Sequence, residues 1–212
     1  IVLQKSNIFS IGDIQYPYPI FAVTGLVSWQ LFSIGLASTT ESLVNSADLV
    51  LKINISRKAI VIASMGRALI GFAIQAAILI FLFLFYGFHP TPYIFLFPLM
   101  ALPIFLLALS LGLVLSLLNC IMRDIAMGLS FLMTVLLLLT PILYAAPETG
   151  WIAWITRYNL LYHLIELPRE LALTGSASNA QGYCVSVVLA CLIFVETLKL
   201  FHLAEHRITE KI

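Results

Sequence analysis

Charge is what this sequence has least of. Only 10% of its 212 residues are Asp, Glu, Lys or Arg, while 61% are hydrophobic and the mean hydropathy is +1.05. A soluble domain ordinarily carries about 25% charged residues. A chain this apolar has too little polar surface to face water, and hydrocarbon is the solvent it fits. The net charge of +1 excludes a broad basic surface for nucleic acid. Cysteine is also scarce: Cys120, Cys184 and Cys191 lie in or beside apolar runs and form no CxxC pair. No disulfide framework or thiolate metal site follows, and the three read as small packing residues. The chain has no Gly-x-x-x-x-Gly-Lys-Ser/Thr string, so it brings no phosphate-binding loop of its own. Nor does an acid lie inside an apolar run, since Asp13, Asp48 and Asp124 flank them. Proton-coupled carriers use Asp, Glu or His relays within the membrane, so transport by this chain needs energy from elsewhere.

What the sequence does have is long uncharged stretches. No Asp, Glu, Lys or Arg lies between Asp13 and Glu41, from Ala68 to Met122, from Ile125 to Pro147, or from Leu171 to Val195. A crossing helix needs about 20 such residues. The second stretch is too long for one helix and is broken at Tyr86-Gly87-Phe88-His89-Pro90-Thr91-Pro92. Five spans are therefore expected, at 19–39, 60–86, 93–118, 125–145 and 180–201. The first is the most diluted, by Thr24, Ser28, Gln30, Ser33 and Thr39. One set of connections carries Lys52, Arg57, Lys58, Arg123, Lys199, Arg207 and Lys211, and the opposite set Lys5, Arg157 and Arg169. The positive-inside rule then puts the 40–59 loop, the 119–124 turn and the C-terminus in the cytoplasm, and the 146–179 segment outside.

Two segments do not read as crossings. In 40–59, Leu43, Ala47, Val50 and Leu51 recur at helical spacing with Glu41, Asp48 and Lys52 on other faces. That pattern predicts a short amphipathic helix on the membrane surface, serving either as an interfacial loop or as a docking helix for a cytoplasmic partner. In 147–173, Pro147 and Gly150 are followed by Trp151, Trp154, Tyr158, Tyr162, Leu161, Leu164 and Ile165, with Arg157, Glu166, Arg169 and Glu170 supplying polar groups. Trp and Tyr favour interfaces, so short re-entrant or interfacial helices are expected, acting as anchors or as the lining of an exit for a sugar chain. His163 and Glu166 share a helix face, but no second such pair exists to complete a metal site. Arg67 lies inside a predicted span, facing a bundle interior or snorkelling to the headgroups. Glu196 and Lys199 read as a structural i, i+3 pair.

Several strings, in order, resemble one family. Tyr16-Pro-Tyr-Pro-Ile-Phe-Ala-Val-Thr-Gly-Leu-Val-Ser-Trp29 is similar to the entry to the second membrane helix of ABC-2 type polysaccharide and polyol-phosphate export permeases. Asn45-Ser-Ala-Asp-Leu-Val-Leu-Lys52 resembles their next cytoplasmic loop, and Leu118-Asn-Cys-Ile-Met-Arg-Asp124 the inner turn after the fourth helix. Thr140-Pro-Ile-Leu-Tyr144 resembles the outer end of the fifth, and Tyr158-Asn-Leu160 leads into an outer gate segment. Ser56 before Arg57 departs from the family's usual Pro, as do Ser28 and Leu160.

The resemblance implies an all-α polytopic membrane helix bundle, the ABC-2 (type V-like) exporter transmembrane domain, as a single domain over 1–212. The chain opens Ile1-Val2-Leu3-Gln4-Lys5 without Met or signal peptide, and the family's first span has no counterpart. A six-span permease lacking its N-terminal span is therefore expected. The implied partners are a second permease copy, two ABC ATPase subunits that hold ATP and Mg, membrane lipid, and a lipid-linked glycan exported across the bacterial inner membrane. The 43–53 helix would couple to the ATPase through Leu43, Ala47, Asp48, Leu49, Val50, Lys52 and Arg57. Asn119, Arg123 and Asp124 would form the inner turn. Tyr144, Trp151, Trp154, Tyr158 and Asn159 would line the outer gate in 147–173. No catalytic residue, metal or cofactor is expected in this chain. The competing readings are an ABC-2 permease for drugs or small lipids, an assembly subunit without transport, and a lipid-modifying membrane enzyme. The enzyme would have only the His163/Glu166 and Arg123/Asp124 pairs to work with.

Overall fold

In the computed structural model, residues 17–47, 56–146 and 150–209 are described, with backbone only at 152 and from 204 onward. Every regular element among them is helical. Helix α1 is Tyr18–Asn45; α2 (Arg57–Ser64) runs through Met65 into α3 (Gly66–Phe85). A 3-10 turn at Pro92–Leu96 leads through α4 (Phe97–Met100) into α5 (Leu102–Ile121). Then come α6 (Asp124–Leu139), α7 (Trp151–Tyr158), α8 (Leu160–Leu173) and α9 (Ala180–Thr209). Four rods are long and apolar enough to cross a membrane: Tyr18–Asn45, Arg57–Phe85, Pro92–Ile121 and Ala180–Leu203.

Local chemistry sets the breaks. Ser56 caps α2, its hydroxyl accepting from Ala59 N at 3.2 Å, where the resembled family usually has proline. At the other end of that rod Gly87 takes φ +60°. Gly87 N bonds Leu84 O and Phe88 N bonds Phe83 O, and the Phe83 and Phe88 rings meet at 5.8 Å. This is a Schellman stop with its accompanying hydrophobic contact. Pro92, Pro98 and Pro103 each sit at the first or second position of their segments, where a missing amide donor costs least. Hence the third rod is jointed rather than broken.

The expected 125–145 span is not one helix. α6 has 16 residues, about 24 Å at 1.5 Å per residue, against roughly 30 Å of hydrocarbon. It stops because Thr140 precedes Pro141. A residue before proline is pushed out of the helical region, and Thr140 has φ −93° and ψ 121°. The chain then folds back and buries Ile142 completely.

The most polar span is the central one. Of α1's apolar stretch, 67% is buried inside the protein, against 17% for the Arg57–Phe85 rod and 22% for α9. α1 packs against α5 and α3, and α5 also packs against α9. Most of its buried hydroxyls are satisfied locally: Thr24, Thr39 and Thr40 donate to carbonyls one turn back, at 2.7 Å each, while Ser28 has no partner. Gln75 of α3 donates to Gln30 of α1. Small residues let the backbones approach. A Cβ on Gly112 of α5 would collide with the Thr39 side chain, and one on Gly35 would lie 2.8 Å from Met65 Cε.

Asn119 closes the inner end. It is 2% exposed, donates to Thr40 O of α1 at 3.3 Å and accepts from Ala126 N of α6 at 3.3 Å. Arg123 and Asp124 beside it are exposed. Arg67 is exposed in the first turn of α3, and Glu196 pairs with Lys199 at 2.7 Å on the surface of α9.

Overpacking a core costs about 1–3 kcal/mol. Gly112→Val should therefore lower the melting temperature of the purified protein by several degrees. Gly128→Ala, where an added Cβ meets nothing within 4 Å, should leave it unchanged.

Candidate functional site

At the end of the bundle opposite Asn119 lie two short helices, of which α8 packs against α1 and α7 against α6. With 8 and 14 residues, neither α7 nor α8 is long enough to cross. Asn159 sits between them. Its Oδ1 accepts from Leu161 N and Tyr162 N at 3.0 and 3.4 Å, capping α8. Its Nδ2 donates to Thr140 Oγ1 at 2.8 Å, which ties the pair to the turn after α6. In that turn the Tyr144 hydroxyl donates to Leu138 O at 2.8 Å. The Tyr18 hydroxyl of α1 donates to Leu143 O at 2.9 Å.

Trp151, Trp154 and Tyr158 lie at i, i+3 and i+7 and share one face of α7. They are 67%, 66% and 71% exposed, and the Trp154 and Tyr158 rings are 5.3 Å apart. This forms an open aromatic ledge. Of the expected outer residues, Trp151, Trp154 and Tyr158 share this ledge, while Asn159 and Tyr144 bond to the turn after α6 and to the end of α6.

The inner set is divided. Leu43 does not open a separate surface helix: α1 continues to Asn45, and Leu43 is buried in the main core at 6% exposure. Ala47 is exposed and Arg57 half-buried. Asp48, Leu49, Val50 and Lys52 lie outside the described residues, as does Pro147.

The residue that holds α8 in place escaped the sequence reading, which set Arg169 among the polar groups of the outer segment. It is instead 2% exposed. Its guanidinium carbon stands 3.8 Å from the centre of the Phe21 ring of α1. One nitrogen donates to Ile142 O at 2.9 Å, and another pairs with Glu166. A Cβ on Gly25 would come within 3.2 Å of the guanidinium. One cation therefore joins α8, α1 and the turn after α6. The available signal was the i, i+3 spacing of Glu166 and Arg169 amid Leu161, Leu164, Ile165 and Ala172, all of them buried. Burial is the larger influence on Glu166 and pushes its carboxyl above the ordinary range; the Arg169 charge pulls it back, and Glu170 adds to the rise. Among the described residues, no group of three or more His, Cys, Asp or Glu is placed to hold a metal.

The model of the ABC-2 type transporter family matches residues 6–173. The chain belongs to that family. Two O-antigen export system permease proteins RfbA of Klebsiella pneumoniae are each 25% identical to it over 202 residues, 93% of this chain and 77% of the relative. An O-antigen export system permease protein RfbA of Myxococcus xanthus is 27% identical over 127 residues, 60% of this chain and 49% of the relative. As an ABC-2 transporter chain it is an integral membrane subunit, and membership implies pairing with an ABC ATPase subunit.

Removing one partner of a buried ion pair costs about 3–5 kcal/mol, so Arg169→Leu should destabilise the transporter strongly. Glu166→Leu in the same chain should restore part of the loss. Glu166's folded pKa is raised, so its contribution to stability is complete below the unfolded value and fades as pH rises through the folded one. Loss of Arg169 raises that pKa further. The deficit of Arg169→Leu should therefore widen as pH rises above the ordinary carboxylate range. Melting curves at acidic and at neutral pH check both statements.

Proposed function

We propose that this chain is the transmembrane permease subunit of an ATP-driven exporter, working as a homodimer with two ATPase subunits. It moves a lipid-linked polysaccharide across the bacterial inner membrane. The observation that carries the reading is the match, over 93% of this chain, to relatives named as O-antigen export permeases. The aromatic ledge gives that reading a physical counterpart. Indole and phenol faces stack on the apolar faces of sugar rings, and a ledge of three such rings on one face of α7 suits a polymer passing along it.

In this mechanism the permease does no covalent chemistry. ATP binding closes the partner ATPases, which push on the cytoplasmic connection after α1. The C-terminus lies on that same side. Because α1 is a single helix of 28 residues, about 42 Å long, a tilt at its inner end moves its outer end as well. Phe21 and Arg169 then carry the motion to α7 and α8, as one rigid body moving against another.

Two experiments test the reading in the complete transporter. Leu49→Asp or Val50→Asp should weaken ATPase association and export together; normal association and export would remove the docking role. Replacing Trp151, Trp154 and Tyr158 with Ala should cut polymer export severely while membrane insertion and melting temperature hold. Unchanged export would leave these rings as interfacial anchors.

A further inference from the structure

α7, α8 and the start of α9 enclose a cleft of about 640 Å³. Its lining is mixed: Arg157, His163, Asn179 and Gln181 are polar, and Tyr158, Leu160, Val185 and Leu189 present apolar surface. Val185 and Leu189 are exposed on α9, whose apolar rod begins at Ala180. From Gln181 to Leu189 the cleft descends about 12 Å along that rod. On this rod the lining is Gln181 and Gly182 where the span begins, then Val185, Ser186 and Leu189.

His163 braces the polar residues. Its Nε2 lies 2.9 Å from Arg157 O and its Nδ1 2.9 Å from Asn179 Oδ1. Asn179 Nδ2 is buried with no partner. The Arg157 guanidinium has no acidic partner among the described residues. Glu170, the acid beside the cleft wall, is already occupied, accepting from Ser178 N at 3.1 Å and from the Ser178 hydroxyl. Glycine at 182 keeps the space open, because a Cβ there would run into His163 Nδ1 and Asn179 Oδ1.

An exposed cation sharing a cleft with apolar side chains selects an amphiphile with an anionic head. We propose that this cleft seats the phosphate head group of a net-anionic bilayer lipid, with its chain lying along Val185 and Leu189. Arg157, exposed on the cleft wall, is the donor to the phosphate. The site borders the aromatic ledge, because Tyr158 also lines the cleft, but it does not depend on a glycan being the cargo.

Native mass spectrometry of the complete transporter with its ATPase, in neutral detergent, tests this with phosphatidylglycerol, phosphatidylcholine and glycerol phosphate as probes. Phosphatidylglycerol should be retained about tenfold better than phosphatidylcholine, whose choline cation offsets the phosphate charge that Arg157 meets. Arg157→Gln should erase that preference and Arg157→Lys keep most of it. Val185→Asp should weaken retention through the apolar lining. Melting curves of each variant separate lost binding from lost folding. Equal retention of the two lipids, or an Arg157→Gln variant of unaltered melting temperature that keeps the preference, would overturn the proposal. So would glycerol phosphate binding as well as phosphatidylglycerol, because the apolar lining would then contribute nothing.

Discussion

Hydrocarbon offers no water to a polar group, so every amide, hydroxyl and charge within the bundle must find its partner inside the protein. α1 is where that constraint presses hardest. It carries Thr24, Ser28, Ser38, Thr39, Thr40 and Ser42 as buried residues. All but Ser28 return their hydroxyls to a carbonyl three or four residues back. The same small side chains let α5 approach closely at Gly112. In a medium as apolar as leucine, helices gain little by hiding leucine from it. Close van der Waals packing and polar contacts such as Gln30–Gln75 hold them together instead.

Each end of α1 is fixed by one buried polar side chain, and the two differ in kind. At the inner end Asn119 uses neutral hydrogen bonds to join α1, α5 and α6. At the outer end Arg169 uses a full charge, spread over an aromatic face, a carbonyl and a carboxylate. Burying a guanidinium is expensive unless all three kinds of contact are present, which makes the outer junction specific in its geometry. Under the proposed mechanism this is the joint between the driven helix and the aromatic ledge, and a residue with one permitted arrangement transmits displacement better than a greasy contact.

The sequence made the architecture readable where its signals were local. The turn at Gly87 and the flanking prolines marked the break between the second and third rods, and residues 147–173 lacked the length of uninterrupted apolar chain that a crossing requires. It misled where tertiary context decided the outcome. The polar residues of α1 looked like weakness in a span and are its contact surface with protein. The apolar run past Leu139 looked like more helix, although Pro141 forbids it. The outer aromatics were visible because Trp and Tyr at helical spacing announce an interface. Arg169 was not, since nothing in the local pattern says that Phe21, nearly 150 positions away, lies beneath it.

The central claim is that α1 is enclosed by protein while the neighbouring rods face lipid, and tryptophan quenching by brominated lipid chains tests it directly. Trp29 is 5% exposed. With Trp151 and Trp154 replaced by Phe it becomes the sole tryptophan of the chain. In bilayers of brominated lipid its fluorescence should be barely quenched. A tryptophan placed at Phe81 of α3, which is 63% exposed, in a chain lacking the other three, should be quenched strongly. Equal quenching of the two would contradict the account, because α1 would then face lipid and could not be the helix on which the rest of the bundle is assembled.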